Sequence, residues 1–188
     1  MTATRFAPRT ALRRLGLTRW RPEAALVVPV PAASNLMAGV LRHGRATVAG
    51  LPPHVTLLYP FVPPAMIDGS TESTLADIAA RFPPFMFQLA RVARFPGVLY
   101  LEPDPAHPFV TLIEALMTRW PQHAPYGGRY TAVVPHVTVL TGREPPGLAQ
   151  SLEEALPVEC RAERVQLVVQ DDDRQWQMRR DVLLGGAP

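Results

Sequence analysis

The chain has 188 residues, 47% of them hydrophobic, which is enough for one domain with a buried core. Its 19 basic residues are all arginine, and the absence of lysine excludes Schiff-base chemistry, a P-loop and a lysyl-adenylate ligase mechanism. The single cysteine, Cys160, excludes an internal disulfide and a CxxC redox or zinc site. No apolar run has transmembrane length and the first residues lack a secretory signal, so we expect a cytoplasmic protein with no membrane partner.

The formal net charge of +3 is unevenly distributed. Residues 1–22 contain six arginines and no acidic residue, whereas the remainder has 13 arginines against 16 acidic residues, a net charge of −3. We therefore expect a basic, flexible N-terminal arm, residues 1–22, and a single domain, residues 23–188. Such an arm could contact RNA or a membrane surface, but a terminus of this kind is more often simply disordered or part of an overextended start site. The acidic balance of the domain argues against a broad nucleic-acid-binding surface.

Hydrophobic patterning predicts interleaved strands and helices from residue 24 onward. The first strand covers 24–30, and Ser34 is the expected N-cap of a helix that runs to about Arg42 and ends near Gly44. Further helices are predicted from Ser70 or Thr71 to before Pro83, over 109–120 and over 148–156, and further strands over 53–59, 85–92, 98–101, 132–139, 165–169 and 176–184. This order predicts an α+β fold whose half before residue 94 resembles the half after it.

A four-residue sequence occurs twice in this pattern, as Pro53-His54-Val55-Thr56 and as Pro135-His136-Val137-Thr138. Residues two apart on a strand share a face, so each copy presents an imidazole beside a hydroxyl while its valine points the other way. A single His-x-Thr is more often part of a core, but an exact repeat indicates two similar units that face each other. Two such pairs would supply a general acid, a general base and hydrogen bonds for an anion.

Together with the residues around them, Gly50 to Phe61 and Val134 to Val139, these motifs resemble the two-histidine (2H) phosphoesterases. That superfamily includes the proteins called 2′-5′ RNA ligases and several cyclic phosphodiesterases. The resemblance covers roughly residues 24–184. It implies a two-lobed, pseudo-symmetric α+β fold in which antiparallel sheets line a central groove and helices lie outside.

The resemblance also implies an activity, the opening of a 2′,3′-cyclic phosphate on an RNA end or small nucleotide to a 2′-phosphate. It further implies that 2′-5′ RNA ligation could occur in the reverse direction. His54 and His136 would be catalytic, and Thr56 and Thr138 would bind the phosphate. As a working hypothesis His54 is the acid and His136 the base, a choice that the sequence leaves open. The expected partners are RNA ends or nucleotide cyclic phosphates, bound by a monomer.

We expect no cofactor and no metal. Threonine is a poor zinc ligand, and neither an HExxH motif nor a carboxylate cluster accompanies the motif histidines. Four residues near the motifs are candidate substrate contacts, because aromatic faces stack on bases and arginine binds phosphate: Tyr59, Tyr126, Arg129 and Tyr130. Phe61, in contrast, is expected to belong to the core.

Two other functions are compatible with the same residues. The chain would be a non-RNA cyclic phosphodiesterase if its substrate were, for example, an ADP-ribose cyclic phosphate. It would be a non-catalytic binding module if it held nucleotides or RNA ends without turnover.

Overall fold

The computed structural model describes residues 21–41, 51–128 and 133–185, with the backbone alone at 39, 41, 126 and 127. The strands in these ranges are β1 Ala24–Pro29, β2 His54–Leu58, β3 Phe85–Phe95, β4 Val98–Asp104, β5 Val137–Thr141, β6 Val158–Ala162, β7 Arg164–Gln170 and β8 Trp176–Leu183. The α-helices are α1 Ser34–Leu41, α2 Gly69–Ala79, α3 His107–Arg119 and α4 Leu148–Glu153. Most of the expected arm, 1–22, lies outside the described residues, so its separation from the domain stays a prediction.

The described strands form one antiparallel sheet in the order β6-β3-β4-β5-β2-β1-β7-β8. The sheet is curled into a half-barrel with few helices, which confirms the expected α+β class. The two lobes are thus the halves of a continuous sheet, and they join where β2 and β5 pair through Val55 and Val137.

The halves are related by an internal repeat. Reading outward from the centre, β2-β1-β7-β8 corresponds to β5-β4-β3-β6. In chain order, β1-α1-β2-α2 corresponds to β4-α3-β5-α4, and each crossover helix packs across the centre: α1 contacts β5 and α3 contacts β2. The predicted division at residue 94 is wrong in detail, because residue 94 lies inside β3. Strand β3 forms a hairpin with β4 and so belongs entirely to the second half.

Three helix starts differ from the prediction, and α3 begins at His107, two residues before the predicted 109. Ser34 is itself helical, with φ −60° and ψ −37°, because a 3-10 turn over Pro31–Ala33 leads directly into α1. Asp68 caps α2: its carboxylate accepts from the Thr71 backbone N–H and from the hydroxyls of Ser70 and Thr71. The predicted end of α1 near Gly44 lies outside the described residues.

Three strands, β3, β4 and β7, are longer than predicted, and the other four predicted strands are shorter. The β3–β4 hairpin extends to Asp104 and turns at Pro96-Gly97, where glycine adopts the positive φ of 75° that this tight turn requires. Strand β6 was not predicted, because its alternation of buried and exposed residues is short and contains charged side chains. Strands β7 and β8 pair as an antiparallel hairpin.

The main hydrophobic core lies between the helices and one face of the sheet. Phe109, Leu112 and Leu116 of α3 are fully buried there, and Phe61 belongs to the same core as expected. A smaller apolar cluster lies on the opposite face, which we call the open face; it consists of Ala25, Val27 and Val168 with Leu51, Tyr59 and Trp176 packed against them. No helix in the described ranges is long and apolar enough to cross a membrane.

Arg179 connects the edge strand β8 to the start of α2. Its guanidinium donates to the Glu72 carboxylate at 3.0 Å and to the carbonyl oxygens of Pro64 and Ile67 at 3.1 and 2.7 Å. Arg179→Ala should therefore lower the free energy of unfolding by about 1–2 kcal/mol, because charge-assisted bonds to partly buried acceptors are lost. Urea denaturation measures this change. Arg180→Ala, at the exposed neighbouring position, is the control; equal effects of the two substitutions would contradict the account.

Candidate active site

The two copies of the repeated motif meet at the centre of the sheet. In the antiparallel register set by the pairing of Val55 with Val137, His54 lies opposite Thr138 and His136, just before β5, lies opposite Thr56. Opposite side chains of such a pair have Cβ atoms about 5 Å apart, and diagonal ones about 7 Å. Because both valines are fully buried in the core, the four polar side chains lie together on the open face.

A β-bulge follows the threonine in each motif. Leu57 is an extra residue after Thr56 relative to β1, and Val139 is an extra residue after Thr138 relative to β4. A bulge bends the strand and changes the direction of neighbouring side chains, and it is common beside active sites. The repeat therefore includes the backbone irregularity as well as the four-residue sequence.

Each imidazole is held by the carbonyl group two residues before it. The Nδ1 atom of His54 lies 2.8 Å from the Pro52 oxygen, and that of His136 lies 2.7 Å from the Val134 oxygen. A carbonyl only accepts, so Nδ1–H donates in both cases and the neutral tautomer leaves Nε2 with its lone pair. Both rings thus have the same orientation relative to their backbone and present Nε2 for proton transfer.

Burial lowers the pKa of both histidines below the ordinary value of 6.5. For His54 the hydrogen bond to Pro52 opposes this effect, and a positive charge on His136 would lower the pKa further. For His136 the hydrogen bond to Val134 opposes the effect of burial. Both imidazoles are therefore neutral near pH 7, and a bound phosphate anion would favour protonation.

The sequence did not identify the aromatic residues that contact His136. Phe95, at the end of β3, and Tyr100, on β4, have ring centroids 5.2 and 5.1 Å from the imidazole. Tyr100 also pairs with Thr138 across the strands. The available signal was the alternation along the β3–β4 hairpin, which puts both rings on the open face.

The structure places Tyr59 on the open face, in the small apolar cluster. Its ring contacts Trp176 edge-on at 6.1 Å, and its hydroxyl donates to the Glu23 carboxylate. Trp176 is a further aromatic residue that the sequence did not identify. The role of Tyr59 toward a substrate stays a prediction.

The roles of the other candidate substrate contacts also stay predictions. Arg129 and Tyr130 lie outside the described residues, and Tyr126 is described only by its backbone, in a 3-10 turn over Pro125–Gly128. Within the described ranges, no three His, Cys, Asp or Glu side chains come together as a metal-binding group.

The comparisons with known proteins identify the family and agree with the fold. The family model described as the 2′-5′ RNA ligase superfamily matches residues 12–174. The chain is similar to the crystal structure of TT0787 of Thermus thermophilus, with a TM-score of 0.60 and 18% identity, covering 88% of this chain and 100% of that one. It is also similar to E. coli LigT complexed with 3′-AMP, with a TM-score of 0.57 and 16% identity, covering 88% of this chain and 99% of that one. No curated protein matches it.

The lowered pKa values predict how stability depends on pH. In the unfolded chain His54 and His136 have the ordinary pKa near 6.5, and in the folded protein their pKa values are lower. The unfolded chain therefore binds protons at these histidines more tightly than the folded protein does. Above pH 6.5 these two groups therefore do not change the free energy of unfolding. As the pH falls below 6.5 and through the pKa values of the folded protein, the free energy of unfolding decreases. Urea denaturation between about pH 7.5 and 5 should show this decrease.

The control for this prediction is the variant with both His54→Gln and His136→Gln. Glutamine cannot be protonated, so the variant should lose less stability than the wild type over the same pH range. Parallel curves for the two proteins would contradict the assignment of lowered pKa values.

Proposed function

We propose that this chain, which belongs to the 2′-5′ RNA ligase superfamily, is a metal-independent phosphodiesterase that opens 2′,3′-cyclic phosphates to 2′-phosphates. Membership in that superfamily supports a phosphoesterase or ligase type of activity. The observation that carries the finer proposal is the group of His54, Thr56, His136 and Thr138 on the open face, with both Nε2 atoms available. The substrate is a cyclic phosphate on an RNA end or a small nucleotide.

The reaction uses one neutral and one protonated histidine. The neutral imidazole takes a proton from water as the water oxygen attacks phosphorus. The bond from phosphorus to O3′ breaks, and the protonated imidazole gives its proton to O3′. The products are a 2′-phosphate and a 3′-hydroxyl, and each histidine ends in the other's starting state. Burial lowers the pKa of both histidines, but the negative charge of a bound phosphate would stabilise the one proton that His54 and His136 share.

The two threonines hold the nonbridging oxygens. Each hydroxyl lies beside the histidine of its own strand and opposite the histidine of the other, where it can donate to the phosphate. Charge increases on these oxygens in the transition state, so the hydrogen bonds strengthen as the reaction proceeds.

Nucleotide binding is supported by a structural relative. LigT has been crystallised with 3′-AMP, with NADP+ and with ATP. We extend nucleotide binding to this chain on that basis. In the ligation reaction, the 5′-hydroxyl of a second RNA end would take the place of water, with the same transfer of protons.

The proposal is tested by assaying 2′,3′-cyclic AMP and ADP-ribose 1″,2″-cyclic phosphate in excess chelator. We expect hydrolysis of 2′,3′-cyclic AMP to the 2′-phosphate at an undiminished rate, because the acid, the base and the phosphate ligands are all side chains. His54→Ala and His136→Ala should each lower turnover by roughly 10²–10⁴-fold, the usual value of one positioned proton transfer. Circular dichroism verifies that both variants are folded.

Each other result points to a different function. Measurable binding without turnover would make the chain a nucleotide-binding module, and faster hydrolysis of the ADP-ribose compound would indicate a non-RNA substrate. A rate that the chelator abolishes and zinc or manganese restores would transfer the chemistry to a metal-bound water. Near-wild-type turnover in either alanine variant would disprove the two-histidine mechanism.

The threonines give a separate prediction. A hydrogen bond to a charged group is worth about 1.5–3 kcal/mol, so Thr56→Ala and Thr138→Ala should each lower kcat/KM roughly ten- to a hundredfold. Serine keeps the hydroxyl, and Thr56→Ser and Thr138→Ser should therefore retain most of the activity. If serine and alanine caused equal losses, the methyl group and its packing would be responsible, and the phosphate-binding role would be excluded.

A further inference from the structure

Phe95 and Tyr100 form a stacked aromatic pair against one of the two histidines. Their ring centroids are 4.1 Å apart with planes at 22°, and the planes lie at 82° and 60° to the imidazole of His136. The two centroid distances to His136, 5.2 and 5.1 Å, are nearly equal. A ring equidistant from two stacked rings lies beside the stack and not over the face of either.

The aromatic pair therefore directs its ring edges toward His136. The edge of an aromatic ring carries the positive end of its quadrupole, whereas a cation is attracted to the face. Ring edges disfavour an imidazolium and exclude water from it, so they favour the neutral imidazole. They also fill the space into which the ring would otherwise turn away from its hydrogen bond to Val134.

The first half of the sheet has no equivalent pair. Val27 on β1 pairs with Thr56, and Tyr100 on β4 pairs with Thr138. Val27 is therefore the counterpart of Tyr100 in the first half of the sheet. By the same correspondence, Val168 on β7 is the counterpart of Phe95 on β3. Among the ring contacts of the described residues, none involves His54.

We propose that Phe95 and Tyr100 are positioning residues that hold the His136 imidazole neutral and oriented for accepting a proton, through ring contacts to His136. The inference rests on the proposed function for its kinetic consequences. Tyr100 is buried, and its hydroxyl lies 3.4 Å from a carboxylate oxygen of Glu102. Glu102 in turn accepts a hydrogen bond from Arg91, so the hydroxyl end of the Tyr100 ring is held in place.

Several ionisable groups lie on the same face of the sheet as His136. On the open face of the described neighbouring strands they are His54 on β2, Tyr100, Glu102 and Asp104 on β4, and Arg91 on β3. Glu102 and Arg91 form an ion pair with each other. The aromatic rings contact the imidazole directly, and their effect is separable by substitution.

The test measures the pKa of His136 by NMR on protein with ¹³C-labelled histidine, with the signal assigned from the His136→Gln variant. In Phe95→Leu and in Tyr100→Leu, water reaches the imidazole, and its pKa should rise by about half a unit or more toward the unperturbed value. With 2′,3′-cyclic AMP, kcat should fall roughly tenfold through loss of orientation, with little change in KM. The acid limb of the kcat/KM profile should move to higher pH with the His136 pKa.

Two matched variants separate the ring edges from other effects. Tyr100→Phe keeps the ring and removes the hydroxyl, so it should leave the His136 pKa near the wild-type value. Phe85→Leu removes an aromatic ring from the same strand, where it contacts Phe87 and Phe109 away from the site, and it should not change the titration. Phe95 is only half-buried, which makes Phe95→Leu the variant that best preserves the fold.

Three results would overturn the inference. The first is an unchanged pKa of His136 in the folded Phe95→Leu variant. The second is an equal effect of Tyr100→Phe and Tyr100→Leu, which would assign the effect to the hydroxyl. The third is a change confined to KM, which would make the rings a binding surface for the nucleobase of the substrate. Because the titration does not depend on turnover, failure of the proposed function would be recognised separately as an absence of phosphodiesterase activity.

Discussion

The pairing of Val55 with Val137 is the interaction on which the rest of the structure depends. Each valine is fully buried between the sheet and the crossover helices, and together they join two four-stranded halves into one sheet. Since side chains alternate along a strand, burial of the valines forces the flanking His and Thr residues onto the open face. The same hydrophobic interaction that connects the halves therefore assembles the candidate active site, and a register slip of one residue would destroy both.

Much of this could be predicted from the sequence because the information is local and repeated. The exact recurrence of Pro-His-Val-Thr in apolar contexts predicted the two strands, the pseudo-symmetry and the four polar residues of the site. The aromatic pair could not be predicted in the same way. Phe95 and Tyr100 lie 41 and 36 residues before His136, and only the strand order β3-β4-β5 brings them to it. The division at residue 94 was wrong because that residue lies within β3, which pairs with β4 across the Pro96-Gly97 turn.

The two halves share a backbone and differ in side chains. Strand order and the bulge after each threonine recur in both, and so does the hydrogen bond from Nδ1 to the carbonyl two residues earlier. The neighbours of the histidines do not recur, because Val27 and Val168 stand where the second half has Tyr100 and Phe95. The substrate already assigns different roles to the two histidines, since it places water beside one and O3′ beside the other. The different neighbours of the histidines add a second difference, which belongs to the protein itself.

The central claim is that the two motifs act as one catalytic unit across the β2–β5 junction. It is tested most directly by a double-mutant cycle in kcat/KM with 2′,3′-cyclic AMP, using His54→Ala, His136→Ala and the variant with both changes. Residues that transfer protons in the same step are not additive, so the double variant should lose little more than the worse single variant. A loss equal to the product of the two single losses would show that the histidines act independently, and would contradict the account.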